Sequence, residues 1–258
     1  MDTPLVTILT PTYNRASYIA AAIESVLAQT YPNWELIVID DASTDGTGAV
    51  VENFIEKEKA ARGGTSRISY IRQPKNVGIA KNRNTGLEKA RGKYVAVLDS
   101  DDIWIDPDKL KKQIDFLKKN TGYGIVGSWV KKIDAHGGDI GGLRFCTDDA
   151  SIRKNMLRRH QFAHSSAVFL KQAMIDAGGY SEDYTIGDDY DLMLAIGKKY
   201  KLANLAEFTT AYRIHDENIT RTKRAQHVRE HLTIIKKYRR DYPGYWSALV
   251  KAYLRLFS

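Results

Sequence analysis

The sequence predicts an α/β fold in which a mostly parallel central sheet carries helices on both faces. Short apolar runs alternate with amphipathic helical patterns through the first hundred residues. One of these runs, residues 36–39, is apolar at every position, which is typical of a strand covered on both sides. Two of the runs lead directly into carboxylates, at Asp40 and at Asp99. Because ligands bind at the carboxyl ends of strands in such a sheet, we expect both acids at one crevice.

The first half of the chain has a regular β-α-β-α-β-α-β order. Apolar side chains recur at helical spacing over residues 18–27, and a Ser-Thr-Asp-Gly turn at 43–46 opens the next helix. The predicted elements are a strand at 5–10, a helix at 18–27, a strand at 35–40, a helix from 46 to about 59, a strand at 68–72, a helix at 79–90 and a strand at 94–98.

The second half of the chain is less regular. No repeat, low-complexity run or clear linker interrupts it before residue 220, so one compact domain is expected. The predicted elements are a helix at 107–119, a strand at 124–133, a glycine-rich turn at 136–142, short strands at 166–170 and 212–215, and a helix at 189–200.

Composition excludes several classes of protein. The chain has 258 residues, 43% of them hydrophobic, and no apolar stretch of the roughly 18–20 residues that a membrane span needs. No signal peptide is expected, because the N-terminus lacks a basic region followed by an apolar run. Cys146 is the single cysteine, so an intrachain disulfide cannot form. We expect this residue to serve packing, in a cytoplasmic protein.

The net charge of +8 is concentrated near the C-terminus. Residues 221–240 hold eight Lys or Arg against one Glu, giving +7, so the first 220 residues are close to neutral. This distribution argues against nucleic acid as a partner of the main domain. Residues 245–257 follow with an apolar helical face of Tyr245, Trp246, Leu249, Val250, Tyr253, Leu254 and Phe257. That face suits an anionic membrane surface, and packing on the domain or on a second copy in an oligomer is the alternative.

The run Asp99-Ser100-Asp101-Asp102 is the strongest chemical signal in the chain. Three carboxylates at the end of a buried strand repel one another unless a cation lies among them. Mg²⁺ and Mn²⁺ prefer such oxygen ligands, often together with a diphosphate. Since Asp and Ser are also ordinary loop residues, a loop without metal is the alternative. The dinucleotide-binding glycine motif and the P-loop motif are both missing from the sequence, which argues against those two enzyme classes.

Five motifs in order resemble one known family. They are residues 10–15 (TPTYNR), 39–46 (IDDASTDG), 76–78 with 83–84 (NVG and RN), 99–102 (DSDD) and 212–215 (YRIH). Together they resemble family 2 inverting glycosyltransferases with the A-type glycosyltransferase fold. The resemblance covers roughly residues 5–220. It implies a glycosyltransferase domain at 1–220, with a nucleotide-sugar half at 1–105 and an acceptor half at 106–220. A basic amphipathic helical tail at 221–258 would follow.

The resemblance implies a nucleotide-binding side. Pro11 and Tyr13 would line the base pocket, and Asp41 would accept a hydrogen bond from the uracil N3–H. Arg83 would lie near the nucleotide, and Asp99 would contact it through the ribose. The alternatives are a turn-forming role for Asp41 and a solvated position on a helix face for Arg83.

The resemblance also implies a divalent metal, Mn²⁺ or Mg²⁺, on the diphosphate. Asp101 is the first choice of ligand, Asp102 shares the site, and His215 would complete the metal or diphosphate shell. The division of roles among Asp99, Asp101 and Asp102 stays open at this level, and a surface position is the alternative for His215. Arg213 would face the diphosphate or pair with an acid.

An acceptor-side motif supplies the predicted base. Residues 187–192 resemble the acidic pair that opens a helix in the family, and Asp189 would take the proton from the acceptor hydroxyl. Helix capping is the alternative for this aspartate. The sequence departs from the family at Asp188, where Glu is frequent, and at Ala195, where Arg is frequent. A hydrolytic triad built on His164 and Ser165 is not predicted, because no nucleophile-elbow sequence surrounds them.

These features together predict a metal-dependent inverting glycosyltransferase. It would move a sugar from a UDP-sugar to a carbohydrate or lipid-linked acceptor in cell-envelope polysaccharide or glycan synthesis, in the cytoplasm or at the cytoplasmic face of the membrane. A sugar nucleotidyltransferase is the first alternative, although residues 10–15 lack the basic glycine-rich loop that a triphosphate needs. The second is a non-catalytic protein that binds membranes or polyanions through its tail.

Overall fold

The computed structural model describes residues 3–254, with the side chains of residues 220 and 221 left out. The first half follows the predicted order, and strands and helices alternate up to the fourth strand. Its elements are β1 (Val6–Thr12), α1 (Ile19–Leu27), β2 (Trp34–Asp40), α2 (Thr47–Ala61), β3 (Ile68–Arg72), α3 (Ile79–Lys89) and β4 (Tyr94–Val97).

The second half contains elements that the sequence pattern does not predict. A short 3-10 helix (His164–Ser166) precedes β8. The elements are β5 (Ile103–Trp104), α4 (Lys109–Lys119), β6 (Tyr123–Ile133), β7 (Asp139–Leu143), α5 (Asp149–Asn155), β8 (Val168–Leu170), α6 (Lys171–Asp176), α7 (Asp188–Gly197), β9 (Lys201–Arg213), α8 (Ile219–Thr222), α9 (Arg224–Lys237) and α10 (Tyr245–Leu254).

One mixed sheet of nine strands runs through the described chain, in the order β3-β2-β1-β4-β8-β6-β9-β5, with β7 paired to β6. The strands β1 to β4 are parallel to one another, as the sequence predicts. The second half departs from the prediction of a mostly parallel sheet. There β8 is antiparallel to both neighbours, whereas the long β6 and β9 run parallel. The α/β fold with helices on both faces is confirmed.

Two apolar cores cover the two faces of the sheet. Neighbouring residues of a strand point to opposite faces, so Ile8 enters one core and Leu9 the other. The core on the Ile8 face is closed by α1 and α4, and the core on the Leu9 face by α3, α7 and α9. Because both faces are covered, the carboxyl ends of β1, β2 and β4 are left as the polar edge of the sheet.

Three sequence-based assignments in the second half need correction. The predicted strand at 212–215 is the end of the long β9, and His215 lies beyond that strand. Residues 139–142 of the predicted glycine-rich turn belong to β7, which pairs with β6, so only the residues before them turn. The predicted helix at 189–200 begins at Asp188 and ends at Gly197. Cys146 is half-buried and packs against the core, which confirms its packing role.

The C-terminal helices pack on the domain with only part of their apolar surface. Ile234 and Ile235 of α9 are fully buried in the Leu9-side core. On α10 the predicted apolar face is divided, because Tyr245 and Leu249 pack against that core while four other side chains face outward. The outward side chains are Trp246 (74% exposed), Val250 (59%), Tyr253 (43%) and Leu254 (65%). Phe257 lies outside the described residues. None of the helices in the described chain has the length and apolar character required to cross a bilayer.

Candidate active site

The acid run follows β4 at the polar edge of the sheet, where its carboxylates have different partners. Asp101 Oδ2 lies 3.0 Å from His215 Nε2 and 3.4 Å from Arg15 Nε. Arg15 also contacts Glu217, so it ties the loop after β1 to the loop after β9. Asp101, in the loop after β4, therefore contacts residues from the loops after β1 and β9.

Asp102 has a different environment from Asp101. Its Oδ1 accepts a hydrogen bond from the backbone N–H of Arg213, and its Oδ2 accepts one from the hydroxyl of Ser165. The side chain is almost fully buried. Burial raises the pKa of Asp102 well above its ordinary value, and the charges of Asp101 and Asp99 act in the same direction. These contacts suit a residue that holds the loop together.

Arg83 connects the acid run to α7. Its Nη2 lies 3.0 Å from Asp99 Oδ1, and its Nη1 lies 2.8 Å from Asp188 Oδ2. Burial alone would lower the pKa of Arg83, but the two carboxylates outweigh it and hold the guanidinium charged. Burial raises the pKa of Asp188, against the opposing effect of the Arg83 charge. Arg83 is therefore held between two acids in the folded chain.

Asp189, the predicted base, is the second residue of α7. It is half-buried, and its Oδ1 accepts a hydrogen bond of 2.6 Å from the backbone N–H of Tyr190. Asp188 is paired with Arg83, and Arg83 is paired with Asp99. These two ion pairs hold the neighbouring Asp189 in the same region as the acid run. Its second carboxylate oxygen has no hydrogen-bond partner among the described residues, which leaves it available to a ligand.

The segment before α7 is held by a carboxylate from α9. Glu230 accepts hydrogen bonds of 2.9–3.1 Å from the backbone N–H groups of Thr185, Ile186 and Gly187. Three successive donors converging on one carboxylate fix the path of this segment. The position of Asp189 therefore depends on a helix about 40 residues further along the chain.

The residues predicted to bind the nucleotide include three at the ends of β1 and β2. Pro11 is buried and Tyr13 is 44% exposed. Each oxygen of Asp41 accepts one backbone N–H of the loop before α3, from Val77 at 2.7 Å and from Gly78 at 3.0 Å. A carboxylate oxygen has a second lone pair, so Asp41 can still accept from a ligand. The predicted residues on this side therefore share one edge, and Asp41 also anchors a loop.

A non-glycine residue in a strained conformation marks the turn beside Asp41. Ala42 has a φ of +64°, which a residue with a Cβ rarely adopts. Its neighbour Asp40 is fully buried and accepts hydrogen bonds from the backbone and the hydroxyl of Ser43 and from the hydroxyl of Tyr70. The network around Asp40 holds the turn in this conformation. Such strain is commonly stored at functional sites.

The residues around Asp101 fit a divalent metal. In the described chain, no group of three or more His, Cys, Asp or Glu side chains is arranged around a common metal position. Mg²⁺ is often held by only one or two protein carboxylates, with substrate phosphates completing the shell. Asp101 Oδ2 and His215 Nε2 lie 3.0 Å apart, which is a hydrogen-bond distance. A carboxylate and an imidazole are donor types that a divalent ion accepts, so these two residues suit a metal shared with a diphosphate.

Several polar groups at this site are missed by sequence reasoning. His164 and Ser165 contact the acid run from the 3-10 helix, Arg15 binds Asp101, and Glu230 supports α7. The sequence gives no periodic signal for them, since each depends on contacts between distant segments. Arg15 lies inside the 10–15 motif and is the one that inspection of the motif could have identified.

Known proteins are similar to this chain in sequence. The family model described as Glycosyl transferase family 2 matches residues 7–175. The Escherichia coli UDP-Glc:alpha-D-GlcNAc-diphosphoundecaprenol beta-1,3-glucosyltransferase WfgD is 34% identical over 225 residues, or 86% of this chain and 82% of WfgD. The Bacillus subtilis (strain 168) putative teichuronic acid biosynthesis glycosyltransferase TuaG is 41% identical over 129 residues. That alignment spans about half of each protein, 48% of this chain and 48% of TuaG.

A solved structure supports the same fold. The mannosyltransferase PcManGT from Pyrobaculum calidifontis, in complex with GDP-Man and Mn²⁺, superposes with a TM-score of 0.71 at 21% identity. The match covers 98% of this chain and 74% of that one. At this identity the likeness concerns the fold, which is the A-type glycosyltransferase fold that the sequence motifs imply. Because the family model covers more than half of the chain and WfgD aligns over 86% of it, the chain belongs to glycosyl transferase family 2.

Proposed function

We propose that this protein transfers a glycosyl group from a nucleotide sugar to a saccharide or lipid-linked saccharide acceptor, with inversion at the anomeric carbon. The observation that carries the proposal is the Asp99–Arg83–Asp188 chain of ion pairs, with N–O distances of 3.0 and 2.8 Å. It joins the acid run after β4, suited to a nucleotide diphosphate, to the helix that carries Asp189. A donor site and a base in one cleft are what a single displacement requires.

In this proposal the nucleotide lies across the ends of β1, β2 and β4. Pro11 and Tyr13 flank the base, Asp41 accepts a hydrogen bond from it, and Asp99 contacts the ribose. Arg83 acts through Asp99, because both of its terminal nitrogens are already in ion pairs. A UDP-sugar is the preferred donor, since WfgD is named for UDP-Glc, and a GDP-sugar is the alternative, since PcManGT was solved with GDP-Man.

Asp101 and His215 would hold Mn²⁺ or Mg²⁺ together with the diphosphate. When bound, such an ion neutralises the negative charge that builds on the departing diphosphate. Asp102 supports the loop after β4 by accepting from the Arg213 N–H and the Ser165 hydroxyl, and its remaining lone pairs allow it to share the metal as the sequence motif implies.

Asp189 would act as the general base. It takes the proton of the acceptor hydroxyl while that oxygen forms a bond to the anomeric carbon. The bond from this carbon to the diphosphate oxygen breaks on the opposite face, and its electron pair leaves with the diphosphate. A positioned base of this kind contributes about 10²–10⁴-fold.

We also propose that α10 places the enzyme at an anionic membrane. Its outward face carries Trp246, Val250 and Leu254, and the exposed basic residues Arg239 and Arg240 lie just before the helix. An apolar face beside positive charge suits the boundary between lipid headgroups and acyl chains. An acceptor carried on a lipid, as the name of WfgD describes, would be reached from this position.

A thermal-shift screen tests the transferase proposal. UDP-glucose, UDP-N-acetylglucosamine and GDP-mannose are each added with Mn²⁺ and again with EDTA. At least one is expected to raise the melting temperature, since a ligand that binds only the native state stabilises it. EDTA should remove most of this shift and the turnover measured with the same donor. No stabilisation by any nucleotide sugar would contradict the donor site, and undiminished turnover in EDTA would contradict the metal.

A further inference from the structure

His164 is a buried histidine beside the acid run that the proposed mechanism does not use. It begins the 3-10 helix before β8 and is 6% exposed. Its Nε2 lies 3.0 Å from the hydroxyl of Tyr180, and the two rings meet edge to face at 5.7 Å. Its Nδ1 lies 3.7 Å from Asp99 Oδ1, beyond hydrogen-bond distance. One side of the ring is therefore anchored and the other faces the acid run.

Buried polar atoms without a protein partner converge around this histidine. Over the described residues they include His164 Nδ1, Arg83 Nε and Asp188 Oδ1. These three residues are linked through Asp99, because Arg83 pairs with both Asp99 and Asp188. Buried donors and acceptors are nearly always hydrogen-bonded, so a cluster of exceptions is completed by a water molecule or by a polar group of a ligand that displaces it. The cluster contains a donor, Arg83 Nε, and an acceptor, Asp188 Oδ1. A hydroxyl group suits such a mixed cluster because it both donates and accepts.

The carboxylate of Asp99 favours one tautomer of His164. It lies 3.7 Å from Nδ1 and can only accept, so a proton on Nδ1 points toward it. The hydroxyl of Tyr180 can then donate to the lone pair of Nε2, 3.0 Å away. Asp99 keeps 28% of its side chain exposed, so a ligand hydroxyl that donates to this carboxylate comes next to Nδ1–H and can accept from it after a small turn of the ring.

We propose that His164 is a specificity residue whose Nδ1–H binds a ring hydroxyl of the transferred sugar beside Asp99. The inference rests on the proposed function, because it takes the donor to be a nucleotide sugar. Tyr180 serves as the positioning residue that holds the ring and its tautomer. The ligand is the hexosyl or N-acetylhexosaminyl ring and not the nucleotide, so UDP and a UDP-sugar should respond differently to changes at this position.

Two substitutions separate the two nitrogens of the ring. The amide nitrogen of His164→Asn can take the position of the donor Nδ1, whereas the amide oxygen of His164→Gln can take the position of Nε2 and accept from Tyr180. The binding constants of each variant are measured with Mn²⁺ by calorimetry, for the nucleotide sugar that stabilises the wild type and for the matching nucleoside diphosphate. The melting temperature of each unliganded variant reports whether it is folded.

His164→Gln is expected to bind the nucleotide sugar about 10-fold more weakly and the nucleoside diphosphate as tightly as the wild type, since one buried hydrogen bond to the sugar is lost. His164→Asn should keep most of the sugar-dependent affinity. Tyr180→Phe should lower the affinity for the nucleotide sugar by a smaller factor. Equal ratios of the two affinities in His164→Gln and the wild type would overturn the role of His164. If the wild type binds no nucleotide sugar, the proposed function fails and the inference fails with it.

Discussion

Arg83 Nη1 lies 2.8 Å from Asp188 Oδ2, and both side chains are almost completely buried. This ion pair joins α3, on the side proposed to bind the nucleotide, to the first residue of α7, on the side proposed to bind the acceptor. Asp99 binds the second terminal nitrogen of the same guanidinium. The fork of an arginine can hold two carboxylates in fixed directions, which the single ammonium group of a lysine cannot do. The two halves of the site are therefore coupled through one side chain.

Removal of this arginine should destabilise the protein strongly. Arg83→Met leaves Asp188 buried without its partner, and the free energy of unfolding should fall by about 3–5 kcal/mol. The double variant with Asp188→Asn should recover part of this loss, because the unpaired charge is removed. Urea denaturation at pH 7 measures both. Lys81→Ala, an exposed position on the same helix, serves as the control and should change stability by less than about 0.5 kcal/mol. Strict additivity of the two substitutions would argue against the coupling.

Asp189→Asn should separate chemistry from binding. The amide cannot take the acceptor proton, so kcat should fall by about 10²–10⁴-fold. The affinity for the nucleotide sugar should change little, since Asp189 would act on the acceptor. Steady-state kinetics and calorimetry measure the two quantities. Asp183→Asn, an exposed aspartate five residues before the helix, provides the control. A variant that turns over at the normal rate would remove Asp189 from the role of base.

Glu230→Gln tests the support of α7 from α9. The neutral amide accepts backbone N–H groups more weakly than the carboxylate does. We expect kcat to fall by about 10-fold while the affinity for the nucleoside diphosphate stays the same, because a small misplacement of a base is costly. Arg229→Gln, the exposed neighbour on α9, is the matched control. Equal kcat values for the two variants would show that the contact serves stability alone.

The ion pair of Glu58 and Arg67 predicts how the free energy of unfolding depends on pH. Burial acts to raise the pKa of Glu58, but hydrogen bonds from Arg67 and Ser66 outweigh it, so the pKa lies below its ordinary value of 4.5. A carboxylate with a lowered native pKa adds stability above its unfolded pKa and loses it as the pH falls through the native value. Glu58→Gln should therefore cost about 1–3 kcal/mol at pH 7 and progressively less as the pH falls from about 4.3, the unfolded value, through the lowered native pKa. A cost that does not change with pH would exclude this linkage.

The outward face of α10 predicts vesicle binding. Full-length protein should sediment with vesicles containing phosphatidylglycerol, and Trp246→Ser with Leu254→Ser should weaken this binding by about 10-fold or more, because two exposed apolar side chains are lost. Ile175→Ser, a 50% exposed apolar residue on α6, controls for surface hydrophobicity. Equal sedimentation of the α10 variant and the wild type would exclude membrane docking through this face. A concentration-dependent change in oligomeric state would assign the face to a second copy.

The first half of the fold follows from the sequence because its signals are local. Buried parallel strands are continuously apolar, and each is followed by an amphipathic helix, so residues 5–98 give nearly the observed boundaries. The second half depends on distant pairing. The strand β9 contains Asn204, Glu207 and three threonines or tyrosines in its later part, and its polar character hides a strand that exists because β6 lies beside it.

The site shows the same division between local and distant information. The motifs at Asp41, Asp99 and Asp101 predict that acids collect at one sheet edge, and the fold brings them to that edge. Which partner each acid receives could not be predicted, since Arg83, Ser165 and His215 arrive from other segments. For the C-terminal residues, the sequence pattern wrongly suggests a segment that does not pack on the main domain. Their charge suggests an appendage, yet Ile234 and Ile235 are fully buried in the main core. The boundary at residue 220 stays a prediction.

The hydrogen bonds from residues 185–187 to Glu230 have a consequence for folding during synthesis. Synthesis proceeds from the N-terminus, and the sheet of the nucleotide half can form while later residues are still within the ribosome. The helix that carries Asp189 gains its support only after α9 has emerged, and Tyr238 and Tyr242 then donate hydrogen bonds to the carbonyls of Asp191 and Leu194. A nascent chain should therefore acquire nucleotide binding before it acquires turnover. Incomplete chains would not carry a finished catalytic site.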